Sequence, residues 1–346
     1  MNLFETGWEN LKSGVIYGAA RGRFVNLEGI EDAVSRAGEI SWRNFGKRIR
    51  FYFPGFTHHR SKRIPRLDGF FPSISITGSR CFLNCKHCGG RLLQAMIPAE
   101  SPERLLEVCS EIKRRGGVGC LISGGCSIDG KVPVKPFIGA LSEVKKKLGL
   151  TIFVHTGLID LETAEMLRDT GVDAVLIDII GSDETIREVY RLDATTRDFE
   201  ESLEALEESG VPFVPHVLVG LHYGRLRGEL EALRMISRHR PSALILIVFF
   251  PIKGTAMELV KPPPPKVVVK VLTEARFMMP RVPMALGCAR PRGKHQRETD
   301  VLAVRAGING IAFPSDAAIS EAKNVGLEIS FSPLCCSQIM EITRLN

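Results

Sequence analysis

The chain has 346 residues, 44% of them hydrophobic, which is enough to bury a large core without requiring two domains. It shows neither a signal-peptide pattern nor an apolar run of membrane-spanning length, so we expect a soluble, cytoplasmic protein that does not bind membranes. The net charge of +7 is spread over helical segments in which acidic residues are interleaved. We therefore expect a solvated surface and no nucleic-acid partner, although an acidic carrier protein would be compatible with this charge.

Residues 1–70 differ in character from the rest of the chain. They contain both tryptophans, Trp8 and Trp42, an aromatic run at 51–56 and a basic segment at 58–63. None of these has the alternation of strand and helix that follows. We expect a helical N-terminal extension packed on the main domain rather than an independent domain.

Between residues 71 and 315, short β-branched runs alternate with amphipathic segments, which predicts an α/β fold with a parallel sheet. The apolar runs are nearly continuous, as is typical of strands buried on both faces. The eight predicted strands are Ser73–Ile76, Gly119–Ile122, Thr151–His155, Ala174–Ile179, Phe213–Val219, Ala243–Phe249, Met284–Leu286 and Gly310–Phe313.

Helix start and stop signals separate these strands. Ser101 followed by Pro102, and Asp160, are typical first residues of helices, while Gly171 and Gly210 are typical last ones. Eight such units predict a (β/α)8 TIM-type barrel, complete or nearly so, with its reactive centre at the C-terminal ends of the strands. The prolines at 262–265 predict an extended loop, and residues 316–346 form a C-terminal segment that carries two cysteines.

Cys81, Cys85 and Cys88 directly follow the first predicted strand with the spacing C-x3-C-x2-C. Thiolates are the ligands that hold iron–sulfur clusters, and three of them leave one iron of a [4Fe–4S] cluster open to a small molecule. A structural zinc site is the alternative, with Cys335 and Cys336 as the second pair of ligands. Adjacent cysteines chelate one tetrahedral metal poorly, so we favour the cluster.

This spacing resembles that of the radical S-adenosylmethionine (SAM) enzymes. The resemblance implies that the open iron binds SAM and that an electron from the cluster cleaves it to a 5′-deoxyadenosyl radical. The residue before the third cysteine is usually aromatic in that family, whereas here it is His87, whose ring can still pack beside the adenine.

Later segments resemble the SAM-binding parts of that family in the expected order. Ser123, Gly124 and Gly125 are similar to a GGE-type segment, and Gly220 lies in a glycine-containing segment like the one beside adenine. The resemblance implies that Asp178 contacts the ribose and that Arg191 pairs with the SAM carboxylate, although an ion pair on a helix surface is an open alternative for Arg191. The run from Pro251 to Met257 is close to a turn of biotin synthase-like members.

The other cysteines predict a second metal site. Cys126 and Cys288 end predicted strands, and Cys335 and Cys336 follow the last unit. Sulfur-inserting members of the family keep an auxiliary iron–sulfur cluster over the barrel mouth, and the resemblance implies such a cluster here. The alternative is that these cysteines are ordinary small apolar residues, as we expect for Cys109 and Cys120 (not ligands).

Polar residues near these positions have less specific interpretations. Arg290 and Arg292 could contact the auxiliary cluster or an anionic substrate, because both neighbour Cys288. His155 and His216 are expected to be packed strand residues rather than ligands, and His216 with His222 could line the cavity.

The C-terminal part of the chain resembles the biotin synthase-like branch, and within it a subunit of the archaeal two-component lipoyl synthases. The resemblance implies sulfur insertion at unactivated carbons of an octanoyl chain on a carrier protein, together with a second radical SAM subunit and a reductant that the sequence does not identify. The N-terminal auxiliary cysteines of bacterial lipoyl synthase are absent. Two alternatives stay open: a sulfur-free rearrangement or methylation, and a cluster-bearing partner subunit that does not cleave SAM.

Overall fold

The computed structural model describes residues 15–18, 23–26, 29–54 and 69–345. Over these residues, every helix is too short or too polar to cross a lipid bilayer. Strands β1 (Val15–Gly18) and β2 (Arg23–Asn26) form an antiparallel pair. The predicted features at Trp8 and at residues 58–63 lie outside the described residues.

The remaining described strands form one curled parallel sheet. They are β3 (Arg48–Tyr52), β4 (Ser73–Ser75), β5 (Ile97–Pro98), β6 (Gly119–Ser123), β7 (Thr151–His155), β8 (Ala174–Asp178), β9 (Phe213–Val219), β10 (Leu244–Val248), β11 (Met284–Leu286), β12 (Gly310–Ala312) and β13 (Glu328–Ser332). Their order in the sheet is β13-β3-β12-β11-β10-β9-β8-β7-β6-β4-β5.

The eight predicted strands and the α/β TIM-type fold are confirmed. The two edge strands, β13 and β5, do not pair with each other among the described residues, so the sheet curls like a barrel but stays open. All carboxyl ends of these parallel strands lie at one rim, which is where such folds place their reactive groups.

Helices cover the connections between the strands. They are α1 (Ile30–Phe45), α2 (Pro102–Arg114), α3 (Ile138–Leu148), α4 (Leu161–Thr170), α5 (Asp183–Thr185), α6 (Thr196–Ser209), α7 (Glu229–Ser237), α8 (Pro265–Met278), α9 (Lys294–Arg305) and α10 (Asp316–Asn324). Tighter 3-10 turns occupy Arg91–Ala95, Lys135–Phe137 and Cys336–Leu345.

The predicted helix boundaries are confirmed by their hydrogen bonds and backbone angles. The Ser101 hydroxyl accepts a hydrogen bond from the Arg104 amide at 3.2 Å, and the Asp160 carboxylate accepts one from Thr163 at 2.9 Å. Gly171 and Gly210 end their helices with positive φ angles of 78° and 76°. A side chain would strain these positions, which explains the glycines.

Three strands of the sheet are not predicted by the sequence pattern: β3, β5 and β13. β3 lies within the segment interpreted as an extension, yet it pairs in parallel with both β12 and β13. Its sequence alternates basic and apolar residues, and this pattern is weaker than that of the fully buried strands. The proposed domain boundaries near residues 70 and 315 stay a prediction.

Side chains on the inner face of the sheet pack with Phe45 of α1 and with four residues of the C-terminal segment. We call this apolar group the inner cluster: Phe45, Tyr52, Phe71, Phe153, Ala174, Leu176, Val214, Ala243, Ile245, Ala285, Ala312, Cys336, Ile339, Met340 and Ile342. Ile152 and Val154 flank Phe153 on the same strand and pack instead with the helices, because successive side chains of a strand point to opposite faces. The four alanines of the inner cluster leave room for the C-terminal segment Cys336–Leu345. That segment therefore fills the space inside the curled sheet.

Candidate active site

The first cysteine group consists of Cys81, Cys85 and Cys88, in the loop after β4. The amides of Cys88 and Gly89 both donate to the carbonyl of Cys85, at 3.2 and 2.8 Å, so the loop folds tightly on itself. The metal-binding atoms of Cys85, His87 and Cys88 lie within 4.8 Å of one another. A contact between the two thiols raises the pKa of Cys85 and lowers the pKa of Cys88 to about 4.

The glycine pair after β6 packs directly against this loop. A Cβ atom at Gly125 would lie 2.1 Å from the carbonyl oxygen of Arg80 and 2.6 Å from the Cβ of Cys81. The Gly125 amide donates to the Thr77 hydroxyl at 2.7 Å, and a Cβ atom at Gly124 would also contact Thr77. Glycine is therefore needed at 125 because two backbone segments approach each other there.

Cys126 lies with the first cysteine group, not with Cys288 as predicted. Its carbonyl accepts from the amide of Phe82 at 2.8 Å. Burial and, after it, the neighbouring Cys81 raise the pKa of the Cys126 thiol to about 12. The end of β6 and the loop after β4 adjoin at the open side of the sheet, which explains this placement.

Two aromatic rings cover the first cysteine group. His87 stacks on Tyr190 with ring centroids 5.2 Å apart, and the Cys85 thiol donates to the Tyr190 carbonyl at 3.4 Å. The His87 Nδ1 atom is buried and has no hydrogen-bond partner among the described residues. Arg191 follows with a positive φ of 58° and pairs with no carboxylate in the described part of the chain. Its predicted contact with SAM stays a prediction.

Three polar side chains meet on β7, β8 and β9: His155 and Asp178 end β7 and β8, and His216 lies in the middle of β9. The ligand atoms of His155, Asp178 and His216 lie within 4.8 Å of one another, and His155 Nε2 is 3.5 Å from an Asp178 oxygen. The other Asp178 oxygen accepts from the Tyr190 hydroxyl at 3.2 Å. His216 Nδ1 lies 3.1 Å from the carbonyl of Val214. We call His155, Asp178 and His216 the central triad.

Burial and neighbouring charges both shift the pKa values of the central triad. Burial alone would raise the pKa of Asp178, but His155 and His216 lower it overall. Burial lowers the pKa of His155, yet Asp178 outweighs it and the net pKa is raised. Burial and then His155 lower the pKa of His216 to about 4. The triad thus joins the Asp178 carboxylate to His155, whose pKa is raised, and to His216, which is neutral near pH 7.

The sequence pattern predicts His155 and His216 as separate packed residues, so their meeting with Asp178 is new information. Asp178 pairs with His216 in register, and His155 pairs with Leu176 on β8. The polar last residues of β7 and β8, next to a histidine inside β9, were the signal that could have revealed the group.

The second cysteine group consists of Cys288, Cys335 and Cys336. Cys336 is buried in the inner cluster, Cys335 is half-buried and Cys288 remains open to solvent after β11. The contact between the adjacent thiols lowers the pKa of Cys335 to about 7 and raises that of Cys336. Charges on Cys335 and Cys288 also act on Cys336. The three thiols do not all lie within 4.8 Å of one another, so their joint ligation of a cluster stays a prediction.

The central triad interacts electrostatically with two of the other cysteines. Asp178 acts on Cys126, beside the first group. Cys335 of the second group acts on His155.

Arg290 is not available to an anionic substrate. It is 2% exposed, and its guanidinium lies 3.1 Å from Asp300 and donates to the carbonyls of Gly287 and Phe313. Arg292 lies over the ring of Phe313, with 5.6 Å between the guanidinium carbon and the ring centroid. These contacts brace the loop that carries Cys288.

Gly220, which directly follows β9, packs closely against Pro263. Its φ is 80°, and a Cβ there would lie 2.6 Å from Pro263. Its amide donates at 2.8 Å to Glu229, a carboxyl whose burial raises its pKa to about 7. His222 Nδ1 lies 3.1 Å from the Thr185 hydroxyl. The ring lies near the carboxylates of Glu184 and Glu188, not in the central triad.

A cavity of about 770 Å³ opens beside the first cysteine group. Its lining includes Cys81, Phe82, Gly125 and Cys126. Ligands of moderate size occupy clefts of this volume.

A model of the radical SAM superfamily matches residues 75–227, which include the first cysteine group and the glycine pair. The chain is 24% identical over 262 residues to a biotin synthase of Leptospira biflexa, covering 74% of this chain and 68% of that one. It is 27% identical over 175 residues to a biotin synthase of Cenarchaeum symbiosum, covering 49% of this chain and 52% of that one. For the mitochondrial biotin synthase of Saccharomyces cerevisiae the identity is 25% over 272 residues, with coverages of 73% and 70%.

Two solved structures show the same fold. Methylornithine synthase matches with a TM-score of 0.60 and 18% identity, covering 88% of this chain and 90% of that one. The FeFe-hydrogenase maturase HydG from Carboxydothermus hydrogenoformans matches with a TM-score of 0.60 and 15% identity, covering 87% of this chain and 72% of that one. At these identities the likeness establishes the fold alone.

Proposed function

Because the chain belongs to the radical SAM superfamily, on its biotin synthase-like branch, we propose that this radical SAM enzyme inserts sulfur at unactivated carbons of an octanoyl chain on a carrier protein, as a lipoyl synthase does. The observation that supports sulfur insertion is the second cysteine group, in which Cys335 and Cys336 pack inside the curled sheet and Cys288 is exposed after β11. An enzyme that only cleaves SAM has no need of a second set of thiols at the same rim.

The residues of the first group fit a [4Fe–4S] cluster and SAM. Three thiolates offer one ligand too few for the cluster, and the buried His87 Nδ1 lacks a partner that a bound cofactor could provide. When bound, the cluster and SAM supply a 5′-deoxyadenosyl radical, the species needed to attack an unactivated C–H bond. We assign Ser123, Gly124, Gly125, Asp178, Arg191 and Gly220 to SAM.

The protein itself positions the reacting groups and excludes water from them. Gly125 lets the backbone after β6 approach Cys81, and the stack of His87 on Tyr190 covers the thiols. Tyr190 in turn orients Asp178 through its hydroxyl.

We assign an auxiliary iron–sulfur cluster, as the sulfur source, to Cys288, Cys335 and Cys336. The donor set is soft and open at Cys288, so a substrate could reach it. Arg290, held by Asp300, fixes the loop that carries Cys288. Cys126 is not part of this assignment because it lies with the first group.

Exposed apolar side chains at the same rim support docking of a carrier protein. Phe82 and Leu92 follow β4, Ile128 follows β6 and Leu259 follows β10, with exposures of 68%, 50%, 69% and 91%. Because carboxyl ends of parallel strands share one edge, these side chains surround the rim where the substrate would enter. The net charge of +7 favours an acidic carrier, and a second radical SAM subunit completes the proposed assembly.

Anaerobic reconstitution tests the two-cluster proposal. We would measure iron, sulfide and Mössbauer spectra in the parent and in the Cys81→Ala/Cys85→Ala/Cys88→Ala variant. We expect about four irons to survive in the variant, as one cubane cluster contains. Loss of all cluster iron would contradict sulfur insertion and favour a sulfur-free rearrangement or methylation.

Product analysis tests the reaction itself. The parent, with reductant, SAM and an octanoylated carrier domain, should form 5′-deoxyadenosine and a carrier whose mass has increased by two sulfur atoms. Deoxyadenosine without a mass increase would contradict sulfur insertion on this substrate. Absence of deoxyadenosine from a protein with a full first cluster would instead identify a partner subunit.

A further inference from the structure

The central triad of His155, Asp178 and His216 has the composition of a metal site. One donor atom from each residue lies within 4.8 Å of the other two. Two imidazoles and one carboxylate suit a divalent first-row transition-metal ion such as Zn²⁺ or Fe²⁺. The first cysteine group offers thiolates instead, so the triad differs in its chemistry from the site of the iron–sulfur cluster.

The sheet itself places the three side chains together. Each follows a member of the inner cluster by two residues on its own strand, and so all three point to the inner face. Asp178 pairs in register with His216, and His155 pairs with Leu176 on β8. Ligands on three adjacent strands are held more precisely than ligands on a loop.

Contacts around the triad orient its donor atoms. A backbone carbonyl only accepts, so His216 Nδ1, 3.1 Å from the carbonyl of Val214, carries the proton, and Nε2 is the nitrogen free to bind an ion. The Tyr190 hydroxyl donates to one oxygen of Asp178 at 3.2 Å, and the other oxygen faces His155 Nε2. Residues that bind metal ions are commonly held by such outer contacts.

The spacing of the donor atoms fits a shared ion. Two ligands about 2.0–2.1 Å from one tetrahedral Zn²⁺ are about 3.3–3.4 Å apart. His155 Nε2 and the Asp178 oxygen are separated by 3.5 Å, and they pair with each other when no ion is bound. Their side chains are 23% and 28% exposed, so an ion can reach them from solvent.

A second group of imidazole and carboxylates, Glu184, Glu188 and His222, is less suited to an ion. Glu184 pairs with the guanidinium of Arg227, whose charge would repel a divalent cation. In the described part of the chain, Asp178 forms an ion pair with His155 and with no lysine or arginine. The triad is therefore the better site, and the second group provides a control.

We propose that His155 Nε2, one oxygen of Asp178 and His216 Nε2 bind one divalent transition-metal ion. This site does not depend on sulfur insertion. Three protein ligands leave a fourth position open, as in catalytic zinc sites, and that position suits a carbonyl or carboxylate oxygen of a substrate. Asp178 can serve both the ion and SAM, because the oxygen paired with Tyr190 can also accept from the ribose.

Zinc is the probe for the test, because it is redox-silent and is counted separately from cluster iron. The cluster-reconstituted protein is treated with a chelator, loaded with Zn²⁺ and desalted. We expect about one zinc per chain, with nitrogen and oxygen neighbours at about 2.0–2.1 Å in the zinc X-ray absorption spectrum. Sulfur neighbours at about 2.3 Å would place the zinc on cysteines and overturn the site.

Two ligand variants test which residues hold the zinc. His216→Gln and Asp178→Asn each remove one ligand with little change in volume, and both should lose most of the zinc while keeping their iron. His222→Gln is the matched control, because His222 also lies near two carboxylates, and it should keep the zinc. Zinc that stays in both triad variants, or that is lost in His222→Gln, would overturn the proposal.

Tyr190→Phe decides if the ligand variants do not fold. It keeps the ring that stacks on His87 and removes the hydroxyl that orients Asp178. Competition with a chelator should show zinc affinity reduced by about 10–100-fold. Unchanged affinity would overturn the arrangement of ligands.

Addition of SAM tests whether the ion and SAM bind together. Zinc should stay bound at saturating SAM. Release of zinc on addition of SAM would make the triad a part of the SAM site alone and overturn the metal site. These measurements count zinc, so they give the same answer whether or not the enzyme inserts sulfur.

Discussion

The two cysteine groups are built in different ways. The first lies within one short loop after β4, where local hydrogen bonds bring the thiols together. The second joins a loop after β11 to the start of the C-terminal segment, with α9, β12, α10 and β13 between them in the chain. The first group therefore depends on local conformation, whereas the second depends on how the C-terminal segment packs inside the sheet.

Single cysteine substitutions should have the largest effects on activity, and those effects should differ between the two groups. Cys85→Ser removes a thiolate of the first group and should abolish 5′-deoxyadenosine formation while the second group keeps its iron. Cys288→Ser should leave deoxyadenosine formation within a few-fold of the parent and abolish sulfur transfer. The amount of 5′-deoxyadenosine and the mass of the carrier are measured in the same reaction.

Cys109→Ala is the matched control, because Cys109 is buried in α2, away from both groups. It should retain both iron signals. Unchanged sulfur transfer in Cys288→Ser would contradict the role of the second group.

Loosening the C-terminal segment should harm the second group selectively. Ile339 is 0% exposed in the inner cluster, so Ile339→Ala should lower the free energy of unfolding by about 2–5 kcal/mol. The same change should reduce the iron of the second group more than that of the first. Urea denaturation and Mössbauer spectra measure the two effects.

Leu259→Ala provides the comparison, because Leu259 is 91% exposed. Its unfolding free energy should stay within about 0.5 kcal/mol of the parent. Equal iron loss from both groups in Ile339→Ala would show that the two are not independent.

A substitution at Gly125 should instead reduce the iron of the first group more than that of the second. A Cβ there would lie 2.1 Å from a backbone oxygen, so Gly125→Ala must displace the first cysteine loop. We expect a loss of about 1–3 kcal/mol in stability and reduced iron in the first group only. Iron content and unfolding curves would show this.

Gly139→Ala is the control for this substitution. Gly139 lies in α3, and a Cβ atom there would have no neighbouring atom within 4 Å, so alanine should be neutral or stabilise by about 0.5–1 kcal/mol. Full retention of first-group iron in Gly125→Ala would argue against the close approach.

A further prediction concerns the pH dependence of stability on the side of Gly220. Burial raises the pKa of Glu229 to about 7, so its neutral form is favoured in the folded state. Its contribution to stability is therefore complete below the ordinary glutamate pKa and is lost as pH rises through about 7. Glu229→Gln stays neutral at every pH. Between pH 5 and pH 8, its free energy of unfolding should therefore rise relative to that of the parent by about 2 kcal/mol.

Urea denaturation across this pH range measures the difference between the two proteins. Glu162→Gln is the control, because the side chain of Glu162 is 68% exposed. Parallel pH profiles for the parent and Glu229→Gln would contradict the raised pKa.

Much of the fold follows from strand composition. Strands buried on both faces are mainly apolar, and β7, β9 and β11 begin and end where the pattern predicts. β13 was missed because an edge strand alternates exposed and half-buried residues, and β5 because it has only two. The central triad was missed because each member looks ordinary within its own strand.

The sequence by itself determined the first cysteine group, the glycine that approaches it and the eight apolar strands, because these depend on spacing within a few residues and on side-chain alternation. Only the tertiary structure decided the place of Cys126, the meeting of His155 with Asp178 and His216, and the packing of Tyr52 against the C-terminal segment. Those contacts join residues far apart in the chain, and their geometry is set by strand order, register and the volume left inside the curled sheet.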